Sequence, residues 1–196
     1  MRKLGALCAA ALIGLPLTAM AEGLSYNYLE GGYVSSELDD ENVDGDGYRA
    51  KLSVLINEGV YVHGGYAEAE TDPNDIGATF TTKSITAGLG LRFSLFDATD
   101  LNVEGAWING KLERDGELVD SDVEDDGYTV GVGVRHLFFP QLEAGLKADY
   151  TDVFDDDDFA YTANLLFHVI PHLSIGGSYT IADNADTWTA GLRFNF

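Results

Sequence analysis

Past residue 22 the chain alternates apolar with small or polar residues in short runs. Clear cases are Tyr48-Arg-Ala-Lys-Leu-Ser-Val-Leu-Ile56, Gly127-Tyr-Thr-Val-Gly-Val-Gly-Val-Arg135 and Leu173-Ser-Ile-Gly-Gly-Ser-Tyr-Thr-Ile181. A period of two places the apolar side chains on one face of a strand, and no stretch sustains the 3.6 period of a helix. The pattern predicts strands over 24–35, 48–56, 60–67, 80–93, 100–109, 127–138, 142–152, 159–169, 173–181 and 187–196. Most approach the roughly 9–11 residues with which a tilted strand crosses a bilayer. The connections alternate in kind. Asn57-Glu58-Gly59, the stretch around Asp97, Phe139-Pro140-Gln141 and Ile170-Pro171-His172 are short, whereas 36–47, 68–79, 110–126, 155–158 and 182–186 are mostly longer and acidic. Short turns on one rim and longer loops on the other predict an outer-membrane barrel with both chain ends on the short-turn, periplasmic side. An open sheet would leave unpaired backbone groups in hydrocarbon, so the sheet must close. The expected fold is all-β: a closed antiparallel up-and-down transmembrane barrel of ten strands, with eight as the alternative count.

Strand side chains alternate between faces, so each run divides into a lipid set and a lumen set. The lipid set includes Leu29, Gly31 and Tyr33; Tyr48, Ala50, Leu52, Val54 and Ile56; Ile85, Ala87, Leu89 and Leu91; and Tyr128, Val130, Val132 and Val134. It continues with Leu142, Ala144, Leu146, Ala148 and Tyr150, and ends with Trp188, Ala190, Leu192, Phe194 and Phe196. Tyr33, Tyr48, Tyr66, Trp107, Tyr128, Tyr150, Tyr161, Tyr179 and Trp188 fall near the long-loop ends, where an aromatic girdle is expected. The opposite faces carry Arg49, Lys51, Arg92, Arg135, Lys147 and Arg193 together with Glu30, Glu104, Glu143 and Asp149. In a narrow barrel such groups should pair, because a buried unpaired charge is costly. Arg92, Glu104, Arg135 and Glu143 are expected at one height as an alternating cluster, with Glu30 reaching Lys51 or Arg49 one strand over.

Composition narrows the reading. Arg2 and Lys3, an apolar stretch from Leu4 to about Leu17, and Ala19-Met20-Ala21 have the build of a secretory signal, so 1–21 is expected to be removed and 22–196 to form the barrel. The only cysteine, Cys8, lies in that signal, which leaves the expected mature chain without disulfide or thiolate chemistry. That chain has 33 acidic and nine basic side chains, a net charge of −24. Such a polyanion repels nucleic acid and bare anionic lipid. Ten Tyr and ten Phe argue against disorder.

The closing run Trp188-Thr-Ala-Gly-Leu-Arg-Phe-Asn-Phe196 resembles the terminal strand of bacterial outer-membrane barrels. The resemblance implies that Trp188, Gly191, Leu192, Phe194 and Phe196 form the signal read by the barrel-assembly machinery. Over the whole mature chain the layout resembles the OmpA/OmpX-like superfamily of small barrels. Leu24-Ser-Tyr-Asn-Tyr-Leu-Glu-Gly-Gly-Tyr-Val34 and the Asp-Gly-Asp-Gly run at 44–47 are similar to a narrower group, the sulfation-dependent quorum-factor family. These likenesses imply fold and outer-membrane location. Strand number departs from the pattern, since OmpX-like proteins have eight.

Two kinds of chemistry bear on function. Asp40-Glu-Asn-Val-Asp-Gly45 matches the first half of a calcium loop, with Asp40, Asn42 and Asp44 as oxygen donors, but Lys51 stands where the bidentate Glu belongs. A solvated, self-repelling loop is the competing account, and a third is that the acidic loops share Mg²⁺ or Ca²⁺ with lipopolysaccharide phosphates. Omptin proteases resemble this architecture but need a His and paired Asp residues at the extracellular rim. His63, His136, His168 and His172 all map to the periplasmic half. Barrel lipid-A deacylases want His and Ser together on the lipid face near the outer leaflet; His136 faces lipid from the wrong end. With no base or activated nucleophile in place, catalysis is not expected. The sequence therefore predicts a non-enzymatic outer-membrane barrel with a charged, largely plugged lumen, for envelope integrity or surface interaction. The alternatives are a narrow porin-like channel and, further off, an omptin-like protease.

Overall fold

The structure, a computed structural model, describes residues 23–38, 43–71, 78–116, 121–154, 156–183 and 185–196. Ten strands follow one another: β1 (Tyr28–Leu38), β2 (Val43–Asn57), β3 (Val60–Thr71), β4 (Ala78–Phe96), β5 (Thr99–Gly116), β6 (Ser121–Phe139), β7 (Leu142–Val153), β8 (Asp156–Ile170), β9 (Leu173–Ile181) and β10 (Ala185–Asn195). Each pairs antiparallel with its neighbours in sequence, and β1 pairs with β10 to close the barrel. Ten strands, not eight, is the count. The expected signal segment 1–21 lies outside the described residues.

Side-chain alternation assigns the two surfaces. Leu52, Leu89, Val130, Val132, Leu146, Leu165 and Leu192 are exposed on the outer wall, while Ser53, Glu104, Glu143 and Arg193 are buried within. The exterior is apolar because hydrocarbon is its solvent, so the usual inside-out distribution is inverted here. Tyr33, Tyr48, Tyr66, Trp107, Tyr128, Tyr161 and Trp188 are exposed on the outer wall toward the extracellular ends of their strands.

The periplasmic hairpins share one build. Each is a two-residue turn preceded by a register shift, between Leu55 and Asn57, Ser94 and Phe96, Leu137 and Phe139, and His168 and Ile170. The extra residue absorbs the strong twist that so short a connection demands.

On the outer side the strands run further than alternation predicts. Much of the expected loop 110–126 is ladder, with Lys111 opposite Glu124 and Arg114 opposite Ser121. Of the expected loops 36–47 and 68–79, only 39–42 and 72–77 fall between strands, and both stretches lie outside the described residues. Above the girdle neither face of a strand meets lipid, so the sequence there loses its apolar alternation while the backbone ladder continues. β4, β5 and β6 reach 19, 18 and 19 residues, against nine in β9. The rim is therefore oblique.

The first strand also needs correction. Its predicted start at residue 24 is too early, for β1 begins at Tyr28. Leu24 and Tyr26 are instead buried at the periplasmic mouth with Tyr61, packed on Leu55 and Leu137. They keep the inward parity of Tyr28 and Glu30, which is why the alternation reads through them as a strand.

Candidate functional site: the charged lumen

Three carboxylates organise the interior. Glu30 on β1 faces its register partners Lys51 on β2 and Arg193 on β10. It accepts from Arg49 at 2.7 Å and from Arg193 at 2.7 Å. Arg193 also lies 3.5 Å from Glu143 on β7, and Glu143 accepts from Arg135 on β6 at 2.8 Å. Arg49, Glu30, Arg193, Glu143 and Arg135 thus form one alternating chain of charges. Its link from β10 to β7 spans the lumen past two intervening strands.

Glu104 on β5 is the hub of the second group. It forms an ion pair with Lys147 on β7 at 2.6 Å and accepts from the Tyr61 hydroxyl at 2.7 Å, with Lys51 on β2 at 3.7 Å. None of these partners stands on a strand adjacent to β5, and glycine explains how they arrive. The register partners of Glu104 are Gly90 on one side and Gly131 on the other. A Cβ at Gly90 would lie 2.1 Å from the Tyr61 ring, and one at Gly131 would lie 3.0 Å from Lys147 Cε. Tyr61 and Lys147 lie across those bare backbones to reach the carboxylate. Lys147 also holds Asp149 at 2.8 Å.

The expected single cluster of Arg92, Glu104, Arg135 and Glu143 is divided. Arg92 pairs with Asp100 at 2.7 Å, Arg135 with Glu143, and Glu104 with the two lysines. The reason is register: Arg92 faces Asn102, which puts Asp100 and Glu104 on opposite diagonals, and the glycine-cleared space around Glu104 admits the lysines. Asp100, Asn102, Tyr26, Tyr28 and Tyr61 were not among the expected lumen residues. Asp100 and Asn102 share the parity of Glu104, the signal that would have found them.

Tyrosines and arginines floor the interior. The Arg193 guanidinium lies 4.2 Å from the centre of the Tyr28 ring. Tyr26, 3% exposed, has its ring 4.7 Å from that of Tyr61, with the guanidinium groups of Arg135 and Arg92 at 4.5 and 5.1 Å. Each contact combines cation–π attraction with burial of apolar ring surface. Above this floor a cavity of about 240 Å³ is lined by Tyr26, Glu30, Arg49, Lys51, Glu104 and Lys147 among others. Higher still, hydroxyls pair across strands, Ser36 with Thr187, Thr162 with Thr180, and Thr129 with Thr151.

One constellation has the elements of a hydrolase triad. Ser174 Oγ lies 2.6 Å from His168 Nδ1, and His168 Nε2 lies 3.7 Å from Glu143. Ser174 is fully buried, and Glu143 already serves Arg135 and Arg193. No reacting atom has room to approach that oxygen, as a nucleophile requires. Two other imidazoles are bound locally, His136 to Thr99 and His172 to the Asn195 carbonyl, while the His63 ring lies 6.1 Å from that of Tyr61.

Outside the lumen, Lys83, Lys111, Glu113 and Asp122 form a cluster on the extracellular extension of β4, β5 and β6. Lys111 reaches Glu113 at 2.6 Å and Asp122 at 3.1 Å, and Lys83 also pairs with Glu113. Hydrogen bonds from Lys111 and then Lys83 hold the Glu113 carboxyl below the usual carboxylate range. Of the three suggested calcium donors, Asp40 and Asn42 lie outside the described residues, and of Asp44 only its place in β2 is described. Among the described residues no group of three or more His, Cys, Asp or Glu is arranged to hold a metal ion. In the terminal strand, Trp188 and Leu192 are exposed on the outer wall, while Gly191 sits against Gly31, whose carbonyl oxygen a Cβ would approach to 2.3 Å.

No curated protein matches the sequence. Among solved structures the fold is similar to the KdgM porin in complex with disordered oligogalacturonate, at 9% identity and a TM-score of 0.52, covering 86% of this chain and 99% of that one. It is likewise similar to the NanC porin, at 11% identity and a TM-score of 0.51, covering 86% and 99%. Ail, the attachment invasion locus protein of Yersinia pestis, is similar at 14% identity and a TM-score of 0.49, covering 86% and 97%. At these identities the likeness is one of fold alone. The family described as outer membrane protein beta-barrel domain matches residues 7–196, almost the whole chain, and the protein belongs to that family of outer-membrane barrels.

Proposed function

We propose that this barrel is a non-enzymatic, largely plugged outer-membrane protein that maintains the envelope and presents an acidic surface outward. The carrying observation is the set of three charge links between non-adjacent strands, Arg193 to Glu143, Lys51 to Glu104 and Lys147 to Glu104. Such links tie non-adjacent strands together and narrow the path that a permeating ion would take. A ten-stranded interior is only slightly wider than the eight-stranded one that side chains fill. The buried Ser174 and the local bonding of His136 and His172 support the absence of catalysis. In the same reading, the barrel-assembly machinery engages β10, and Mg²⁺ or Ca²⁺ bridges the acidic rim to lipopolysaccharide phosphates.

A narrow channel is the competing reading, and the cavity above the tyrosine floor is what favours it. Planar-bilayer recording separates the two. The plugged reading expects no sustained unitary steps from the purified mature protein. Discrete steps that disappear when Glu104 and Lys147 are neutralised would overturn it.

A further inference from the structure

We propose that the segment from Gly23 to Asn27 is a displaceable stopper, which seals the periplasmic end of the lumen through Tyr26 and opens the cavity above it when it withdraws. The inference rests on the plugged-lumen reading and assigns the seal to one short piece of chain.

Three observations carry it. First, Tyr26 is at once almost wholly buried and part of the cavity lining, so its ring forms the boundary between cavity and periplasm. Second, the segment is moored at points and not by a ladder. The Phe196 N–H donates to the Asn27 carbonyl at 3.1 Å, the Leu55 N–H to Asn27 Oδ1 at 2.7 Å, and Arg135 Nη1 to the Ser25 carbonyl at 3.0 Å. β1, by contrast, is paired along its full length on both sides. Elements held by few contacts open at lower free energy than the ladder they adjoin.

Third, withdrawal strands no charge. The two guanidinium groups that flank the Tyr26 ring have carboxylate partners of their own, Arg92 on Asp100 and Arg135 on Glu143. Both would stay paired after the ring leaves. Leu24 and Tyr26 cluster with Tyr61 against Leu55 on β2 and Leu137 on β6, a small apolar contact at the periplasmic mouth. The seal can therefore break without unpicking the ion pairs that hold the lumen together.

The test is planar-bilayer recording on the purified mature protein and on Tyr26→Phe, Tyr26→Ala and Leu24→Asp variants, with folding verified by heat-modifiable gel mobility. Tyr26→Phe retains the ring and should match wild type. Tyr26→Ala should raise the mean current at least ten-fold. Leu24→Asp places a carboxylate in that apolar cluster, should expel the segment with Tyr26 intact, and should give the same rise. Folded Tyr26→Ala and Leu24→Asp proteins that conduct no more than wild type overturn the stopper and leave the plugged lumen standing. A wild type that already conducts overturns the plugged reading, and the ratio of variant to wild type then decides the stopper alone. If neither variant folds, the segment belongs to the barrel's folding unit and the proposal fails.

Discussion

Replacing Glu143 with Gln should be among the most damaging single changes in the barrel. Glu143 is 2% exposed, and its carboxylate is the acidic partner of Arg135, which has no other carboxylate partner in the structure as described, and the second partner of Arg193. Gln keeps the shape and removes the charge. Arg193 still holds Glu30. Arg135 is left with the Ser25 carbonyl and the ring of Tyr26, which accept hydrogen bonds or polarise but do not neutralise. Removing one member of a buried ion pair costs about 3–5 kcal/mol, because the survivor stays desolvated. At 1.4 kcal/mol per decade that is roughly a hundred- to several-thousand-fold in the folding equilibrium. Urea unfolding in lipid vesicles, followed by the fluorescence of Trp107 and Trp188, measures it. The double variant Glu143→Gln/Arg135→Met removes both charges and should recover much of the loss, a non-additivity that identifies the pair as the cause. A Glu143→Gln protein within 1 kcal/mol of wild type would refute the reasoning, since it would mean that water already solvates Arg135.

Gly90→Ala should destabilise by about 1–3 kcal/mol through overpacking against Tyr61, and Gly90→Ala/Tyr61→Leu should recover part of it in the same unfolding assay; additive losses would count against the crossing of Tyr61 over Gly90. Leu146, 67% exposed midway along β7, should lose about 2–4 kcal/mol as Arg in a bilayer. An unchanged Leu146→Arg barrel would mean that this face does not meet lipid. At the extracellular extension, a carboxyl whose folded pKa is depressed stabilises the fold above its free value and loses that contribution as pH falls through the folded value. Carbon-detected NMR titration should accordingly place the Glu113 midpoint below the ordinary Glu value of about 4.3. Lys111→Met should move it upward, and a wild-type midpoint at or above the free value would contradict the cluster geometry.

Strand number and facing were legible because lipid on one side and a polar lumen on the other enforce period-two alternation across the hydrocarbon belt. Where that enforcement ends, legibility ends. Lys111, Glu113, Glu124 and Asp126 stand on ladder rungs that meet no lipid, so their charge reads as loop while the hydrogen bonds continue. At the other end Leu24 and Tyr26 keep the alternation without belonging to a strand. Individual lumen residues were readable from parity, since Glu30, Arg193, Lys147 and Glu104 all carry charge at inward positions. Their partners were not. Which cation reaches Glu104 depends on Gly90 and Gly131 clearing a path from strands two and three places away, a fact of register and tilt that one strand's sequence does not hold.

The seam between β1 and β10 has a consequence for how the cylinder comes to be shut. Glu30 stands directly opposite Arg193 across that seam, with Lys51 directly opposite on its other side. Sliding the last strand by one residue would thrust Arg193 toward the fatty exterior and turn Trp188 and Leu192 into the ionic lumen. A single-residue offset at this join is thus opposed twice over, by the stranded cation and by the misplaced apolar side chains.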